Sequence, residues 1–527
     1  MNPFLLFRPT VFLMLLLGTL PSTKANDVNV DALREYIDQT RQTWEVPGLA
    51  VAIVKDDKVL LSAGFGVRED GKSEKVNADT LFAIASNSKA FTAASLAILV
   101  DEGKLDWDDR VSDYLPWLKL KDPMTRDLRV RDLLCHRSGL GTFSGDLLWW
   151  GTSYSPREVL ERAKELEPAA PFRAKYGYSN LMFLAAGLVI EEVSAQPWAK
   201  FVESRIFKPL HMTRTVASVR DLSSQGNYAT PHKTLLAGDD SSSKTLSKPL
   251  PWMNWDNMAA AGGIISSANE MSNWIRMQLR RGKLQGDDAG SLFSTKQAQQ
   301  MWALQTPSSA SESYLKQNHG NYRGYGLGWS LSDYHGHKVV SHGGGYDGMY
   351  SQVLLVPDQN LGVVVLTNSM TGISSTLTRH IMNQFLGIDA DGESPSKWRS
   401  FLRSRASFEG RIHERLATKH KDTSPSHPLG DYTGEFQCPL YGDASVGVVD
   451  GKLVLRLHAN TDLVADLEHL HYDTFVIRWG KEFAWFAEGT AHFVADSNGK
   501  LTRIELDVPN DDMWFYELKL RRKSDSE

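Results

Sequence analysis

The chain has 527 residues, 42% hydrophobic and 23% charged, with a formal net charge of −5. That length exceeds one ordinary core, so two or more domains are expected. Without a basic excess a nucleic-acid partner is disfavoured. The 15 Trp, 16 Tyr and 21 Phe exclude a disordered chain, and two cysteines exclude a disulfide scaffold.

Residues 1–25 read as a secretory signal. Arg8 supplies a weak positive start, Val11 to Leu20 an apolar stretch, and Thr23-Lys24-Ala25 a small-residue cleavage point. The apolar run is too short to span a bilayer comfortably. The expectation is cleavage near Ala25 and export to the periplasm or medium, with no stable membrane anchor.

Asp31 to Trp44 follows as a helix. Leu49 to Lys55 and Val59 to Phe65 read as strands around the turn Asp56-Asp57. Ala90 to Val100 is an unbroken apolar run ending at Gly103, too long for an average strand, and reads as a buried helix. A largely helical stretch with polar loops comes next, among them Asp239 to Ser247. Strands return at Val339-Val340, Gln352 to Val356 and Gly362 to Thr367, and Ser374 to Leu386 closes as a helix. The two ends of this region build one α/β layer with a helical insertion between them.

Trp398 to Lys421 reads as a charged helix, and Thr423 to Pro428 as a breaker-rich linker. Beyond it, Leu453 to Leu457, Thr474 to Trp479, Glu482 to Phe486, Ala491 to Ala495 and Leu501 to Val508 alternate apolar and polar, with the hairpin signal Asn498-Gly499. This is a small antiparallel β-domain. The division expected is 1–25 signal, 26–390 first domain, 391–430 helical or polar linker and 431–527 β-domain. Cys135 and Cys438 read as unpaired, buried thiols.

A serine becomes a nucleophile when a neighbour takes its proton, and lysine does so only where its charge is disfavoured. Ser-x-x-Lys on a helix puts both on one face, with the serine near free backbone N–H groups. The pattern occurs at Ser86/Lys89, Ser241/Lys244, Ser313/Lys316, Ser394/Lys397 and Ser497/Lys500. Ser241 lies in a polar loop, Ser313 in a polar stretch and Ser497 in a hairpin, while Ser394 precedes a proline, which disfavours a helical serine. Only Ser86 opens an apolar helix, which would desolvate Lys89. A helix cap would explain the serine but not the lysine.

Tyr178-Ser179-Asn180 precedes an apolar helix at Leu181 to Ala195, and His342-Gly343-Gly344-Gly345 follows a strand at Lys338 to Ser341. Glycines on a strand let a ligand approach the backbone. Trp149-Trp150, Trp252, Trp255, Tyr346 and Tyr350 would be core residues or, if exposed, the wall of an apolar pocket. His335 and His337, and His469 and His471, would share strand faces, but no metal-binding motif completes a site, so no metal or cofactor is expected.

Taken in order, Ser86-x-x-Lys89, Tyr178-x-Asn180 and His342-x-Gly344 resemble the serine β-lactamase and penicillin-binding superfamily. Pro47-Gly48-Leu49, His136 to Leu140 and Ala261 to Ser267 agree with it. The resemblance covers about residues 30–388. It implies an α/β (α+β) fold with a helix-flanked antiparallel sheet and a helical subdomain, followed by a small, barrel-like all-β accessory domain.

It also implies roles. Ser86 would form an acyl-enzyme, and Lys89 would lower the proton affinity of Ser86 and Tyr178. Tyr178 would be the general base as a phenolate, and Asn180 would bind substrate and Lys89. The N–H groups of Ser86 and Gly345 would form the oxyanion hole, with Gly343 and Gly344 lining the substrate. His342 would tune Tyr178 or bind substrate. Typical β-lactamases and transpeptidases carry Lys-Thr-Gly or Lys-Ser-Gly where this chain has His342-Gly343-Gly344, which weakens carboxylate capture or makes it pH-dependent. The expectation is an exported serine hydrolase acting on an amide bond, of the peptidase type. The alternatives are an esterase or weak β-lactamase on the same site, and a binding protein that does not turn over. The partner expected is a small peptide, ester or lactam.

Overall fold

The structure, a computed structural model, describes residues 28–121, 126–236, 245–286, 289–389, 393–417, 420 and 422–524. The expected signal, most of the Asp239–Ser247 loop and Ser241/Lys244 lie outside the described residues.

The first helix spans Val30–Thr43; the Asn29 side chain accepts from Ala32 N at 3.0 Å, satisfying a free first-turn donor. Strands Gly48–Lys55 and Lys58–Gly66 follow as an antiparallel pair. Together with Thr306–Pro307, Arg323–Tyr325, Ser330–Tyr334, His337–Tyr346, Met349–Val356 and Leu361–Thr367 they make an eight-stranded sheet. Gly48–Lys55 pairs with Leu361–Thr367, so strands from both ends of the region lie side by side, second and third in the sheet order.

Alternation along Gly48–Lys55 sorts its side chains. Leu49, Val51 and Ile53 join the helices Val30–Thr43 and Ile373–Leu386 in one core. Ala50, Ala52 and Val54 face the other core, with the helices Ser88–Asp101 and Ala268–Leu279. A strand covered on both faces must be apolar throughout, which explains its unbroken run. Ser88–Asp101 is itself buried nearly all round, as its sequence demands.

The C-terminal region is a closed eight-stranded barrel: Gly434–Gln437, Ala444–Val449, Lys452–Leu457, Val464–His471, Thr474–Trp479, Gly489–Ala495, Leu501–Asp507 and Leu520–Arg522. Closure leaves no unpaired sheet edge. Phe475, Phe493 and Tyr432 pack edge to face inside it. Gly499 takes φ +79° in the Asn498-Gly499 turn, a conformation few other residues accept.

Two expectations change, four strands are added, and one open alternative is decided. Glu482–Phe486 is a loop rather than a strand, because Phe483 and Phe486 both pack edge-on against Trp150 instead of alternating. Four barrel strands, Gly434–Gln437, Ala444–Val449, Val464–His471 and Leu520–Arg522, carry too little regular alternation to be read. Ser394 lies in a helix, Glu393–Ala417, since Pro395 falls in the first turn, where an N–H has no partner to lose. Trp149 and Trp150 are 2% and 0% exposed, so they are core rather than pocket wall.

Cys135 and Cys438 are buried and free. Among the described residues no helix is long and apolar enough to cross a membrane.

The barrel sits against the loop between Gly139 and Tyr154. The Glu517 carboxylate accepts from Ser144 Oγ at 2.6 Å and from Gly145 N at 2.9 Å. Asn460 Nδ2 donates to Trp150 O at 3.2 Å, and the Tyr154 hydroxyl to Tyr441 O at 2.7 Å.

Candidate active site

Strand Phe82–Ala83 pairs with Ile265–Ser266 and delivers the chain into a short turn at Ala85–Asn87. Ala85 is held at φ +47°, a left-handed conformation costly for a residue with a side chain. Ser86 is the only residue between Thr80 and Leu99 that is not fully buried. The strain therefore accompanies a turn that presents one serine from an otherwise closed element.

Lys89, one turn on, is fully buried. Its Nζ lies 3.0 Å from Ser86 Oγ, 2.7 Å from Asn180 Oδ1 and 2.9 Å from Ala261 O. The amide and carbonyl oxygens can only accept, whereas the serine hydroxyl can also donate. An ammonium donating to all three fits this set, and so does a neutral amine: two N–H groups go to Asn180 and Ala261, and the lone pair takes the Ser86 proton. Burial favours that form, pushing Lys89 down to about 7 against the opposing pull of Asp146.

Tyr178 and Asn180 arrive on the N-terminus of the helix Asn180–Ser194. Phe143 N donates to Tyr178 O, and Ser179 N donates to His136 Nδ1 at 3.1 Å, which fixes the Tyr178–Asn180 turn. The Tyr178 ring centroid lies 4.9 Å from Lys89 Nζ, and its phenol is hydrogen-bonded to Ser86. Burial drives this phenol well above its ordinary value. The environment thus opposes the phenolate that the resemblance implied and keeps Tyr178 a neutral hydroxyl.

The motif His342 to Gly345 lies within strand His337–Tyr346 rather than after a strand. Ser330–Tyr334 pairs with it only as far as Ser341, so beyond that point its edge turns to the Ser86 turn. A Cβ on Gly344 would come within 2.2 Å of Ile84 O and 3.0 Å of Ser86 N, so only glycine allows this approach. Gly343 is exposed and Gly345 half-buried on the same strand. His342 is buried; Tyr325 OH lies 2.6 Å from its Nε2, and Gly343 O lies 2.6 Å from its Nδ1. Burial first, and then Lys89, push it down to about 3. It is a neutral ring with both nitrogens engaged, which removes the pH-dependent carboxylate grip expected of it.

Sequence reasoning missed three contributors. Asp146 is buried, accepting from Asn180 Nδ2 at 2.7 Å and Trp149 Nε1 at 3.0 Å. Burial pushes its carboxyl up to about 8, against Trp149, Asn180 and Lys89. Trp485, from the barrel, would be 3.0 Å from a Cβ on Gly345. Asp512, also from the barrel, bears on Tyr178 and Asp146 electrostatically and is itself pushed up to about 6 by burial and by Asp511. Trp485, Asp511, Asp512 and Tyr350 line a cavity of about 460 Å³. Alternation in a barrel strand cannot announce a loop residue that faces another domain. Among the described residues no His, Cys, Asp and Glu cluster suits a metal ion.

A serine presented by a strained turn, with a buried lysine whose charge is disfavoured at hydrogen-bond distance, on a sheet flanked by helices, defines a serine hydrolase of the β-lactamase fold. The family model described as Beta-lactamase matches residues 33–382, and the chain belongs to that family. A second model, a domain of unknown function (DUF3471), matches residues 418–522.

An unguisins hydrolase of Aspergillus campestris is 28% identical over 433 residues, covering 78% of this chain and 76% of that protein. Protein flp of Staphylococcus aureus is 28% identical over 365 residues, 66% of this chain and 65% of that one. The octameric penicillin-binding protein homologue from Pyrococcus abyssi has the same fold, with a TM-score of 0.59 at 22% identity, over 94% of this chain and 100% of that one.

Proposed function

We propose that the protein hydrolyses an amide bond in small peptides carrying unusual or D-residues, through an acyl-enzyme on Ser86. The observation that carries this reading is the set of partners around Lys89 Nζ: Asn180 and Ala261 accept two of its N–H groups, and Ser86 Oγ is the third partner, placed to give its proton once the amine is neutral. Ser86 Oγ attacks the carbonyl carbon and its proton passes to Lys89. The C–N bond then breaks, and the proton returns through the neutral Tyr178 hydroxyl to the leaving amine. Water attacks the ester in turn, giving its proton to Lys89; the acid leaves and Ser86 regains a hydrogen. Asn180 and the edge at Gly343–Gly345 hold the substrate, and the N–H groups of Ser86 and Gly345 receive the oxyanion.

One observation supports a peptide over a β-lactam, and one supports hydrolysis itself. The third motif offers a neutral, fully engaged His342 in place of a cation for a carboxylate. The relatives named unguisins hydrolases support hydrolysis as the reaction. Export is read from residues 1–25 alone, and N-terminal sequencing of protein recovered outside the cytoplasm tests it.

The central test is labelling with a fluorophosphonate, followed by turnover of a library of L- and D-peptides, esters and β-lactams. The reading requires the label on Ser86 and faster cleavage of peptides than of lactams. Label or turnover surviving in Ser86→Ala refutes the acyl-enzyme. Preference for esters over every peptide refutes the substrate class.

A further inference from the structure

We propose that Asp146 is a positioning residue: by accepting the Asn180 side-chain N–H, it fixes that amide with its oxygen toward Lys89 and so reserves the Lys89 lone pair for Ser86. The proposal rests on the acyl-enzyme reading above and assigns a residue outside the three motifs. It also explains why a carboxyl is buried in an apolar insertion.

An asparagine side chain has two nearly isosteric faces, an acceptor and a double donor. If Asn180 presented its NH₂ to Lys89, that N–H would capture the amine lone pair, and Ser86 would lose its proton acceptor. Asp146 forbids this arrangement. Its Oδ2 takes Asn180 Nδ2 at 2.7 Å, and its Oδ1 is occupied by Trp149 Nε1 at 3.0 Å. Two N–H donors, one on each oxygen, favour the ionised carboxylate against the burial that pushes it up to about 8. The chain Ser86–Lys89–Asn180–Asp146 is therefore polarised in one sense, donor to acceptor, and ends on the Asp146 carboxylate, which Trp149 holds from the other side.

In its ionised form Asp146 acts by charge as well. It is the one group that raises the proton affinity of Lys89, against desolvation. The other titratable groups around this cluster are His136 and His342, both held neutral, the phenols Tyr176, Tyr178 and Tyr325, and the barrel carboxyl Asp512. Lys89 and Asp146 influence each other, so the titration belongs to the pair.

The test is the rate of Ser86 labelling by a fluorophosphonate as a function of pH, in the full chain, for wild type and Asp146→Asn. This readout needs no knowledge of the natural substrate. Asp146→Asn keeps the volume, removes the charge and frees the Asn180 amide to turn. The expected result is a labelling rate at least about tenfold lower at the plateau. The acid limb should also move to lower pH, because Lys89 has lost the charge that favours its ammonium. A merely structural lesion lowers the rate without moving the limb to lower pH. A wild-type plateau and limb in Asp146→Asn overturn the proposal, as does a limb that moves to higher pH. Should Asp146→Asn not fold, Trp149→Phe removes one donor from the same carboxyl. It should shift the limb in the same direction by less, and an unchanged limb overturns the proposal. If Ser86→Ala labels like wild type, the acyl-enzyme reading itself fails, an outcome separate from these.

Discussion

Around Ser86, the side chains of Lys89, Asp146, Asn180 and His342 are buried together, each against another polar group. Inside the barrel, Phe436, Leu455, Phe475, Ile477, Phe493 and Leu520 are buried in one apolar cluster, and the buried Tyr432 sends its hydroxyl out to Asp473. Burying a polar group without a partner costs several kcal/mol in an apolar medium, so a cluster like the first persists only where every member is satisfied. The barrel has no such constraint and is built for burial alone. Its chemistry is confined to loop tips: Trp485 beside Gly345, Asp512 near Tyr178, and Glu517 on Ser144. The contrast is between a region that holds reactive groups in order and one that closes the cleft around them.

The sharpest way to break the comparison is Ser86→Ala. Loss of turnover by at least about 10³-fold with an unchanged melting temperature is expected, since the side chain is reactive rather than structural. Activity within tenfold of wild type would place the chemistry elsewhere.

Lys89 gives the next effect, and its sign follows from its environment. The amine must be neutral to accept the Ser86 proton, and burial has pushed it down to about 7. kcat/KM should therefore rise with pH through that region and fall below it. Lys89→Met should cost about 10²–10⁴-fold and abolish the limb. A flat profile between pH 5 and 8 in the wild type would rule out Lys89 as the base.

In the barrel the corresponding test is thermodynamic. Phe493 is 1% exposed among Tyr432, Phe436 and Phe475. Phe493→Ala should lower stability by about 3–5 kcal/mol in a denaturant titration. Labelling of Ser86 under native conditions should persist. Loss of labelling in a chain still folded would mean that the barrel interior bears on the chemistry.

The smallest effect belongs to the boundary. Trp485→Ala opens the cavity beside Gly345, and KM should change about tenfold for some substrates and not others, with kcat nearly constant. A uniform fall in kcat across substrates would make Trp485 part of the catalytic geometry.

Much of this was legible in the residues. The apolar runs at Leu49 to Lys55 and Ala90 to Val100 could be nothing but covered elements, and the structure covers both. Ser86 stood out from four other Ser-x-x-Lys pairs because only it led into such a run. The rest depended on contacts between residues far apart in the chain. Lys89 meets Ala261 and Asn180, and Asn180 meets Asp146. Nothing near Asp146 in sequence distinguishes it from a solvated loop carboxyl. Tyr178 shows the same limit: proximity to a lysine suggested a phenolate, but the depth of burial decides the matter and is a property of the fold. Barrel strands such as Ala444–Val449 stayed hidden because Gly447 breaks their alternation.

The segment around Thr423 to Pro428 is half-buried to exposed, whereas the residues that bind barrel to hydrolase lie elsewhere, at Glu517, Asn460 and Tyr441. Covalent continuity and physical attachment are thus separate in this molecule. Exposed connections of this kind are where proteases cut most readily. A chain nicked there keeps Glu517 on Ser144 and Asn460 on Trp150, and its two fragments travel as one particle until a denaturant parts them.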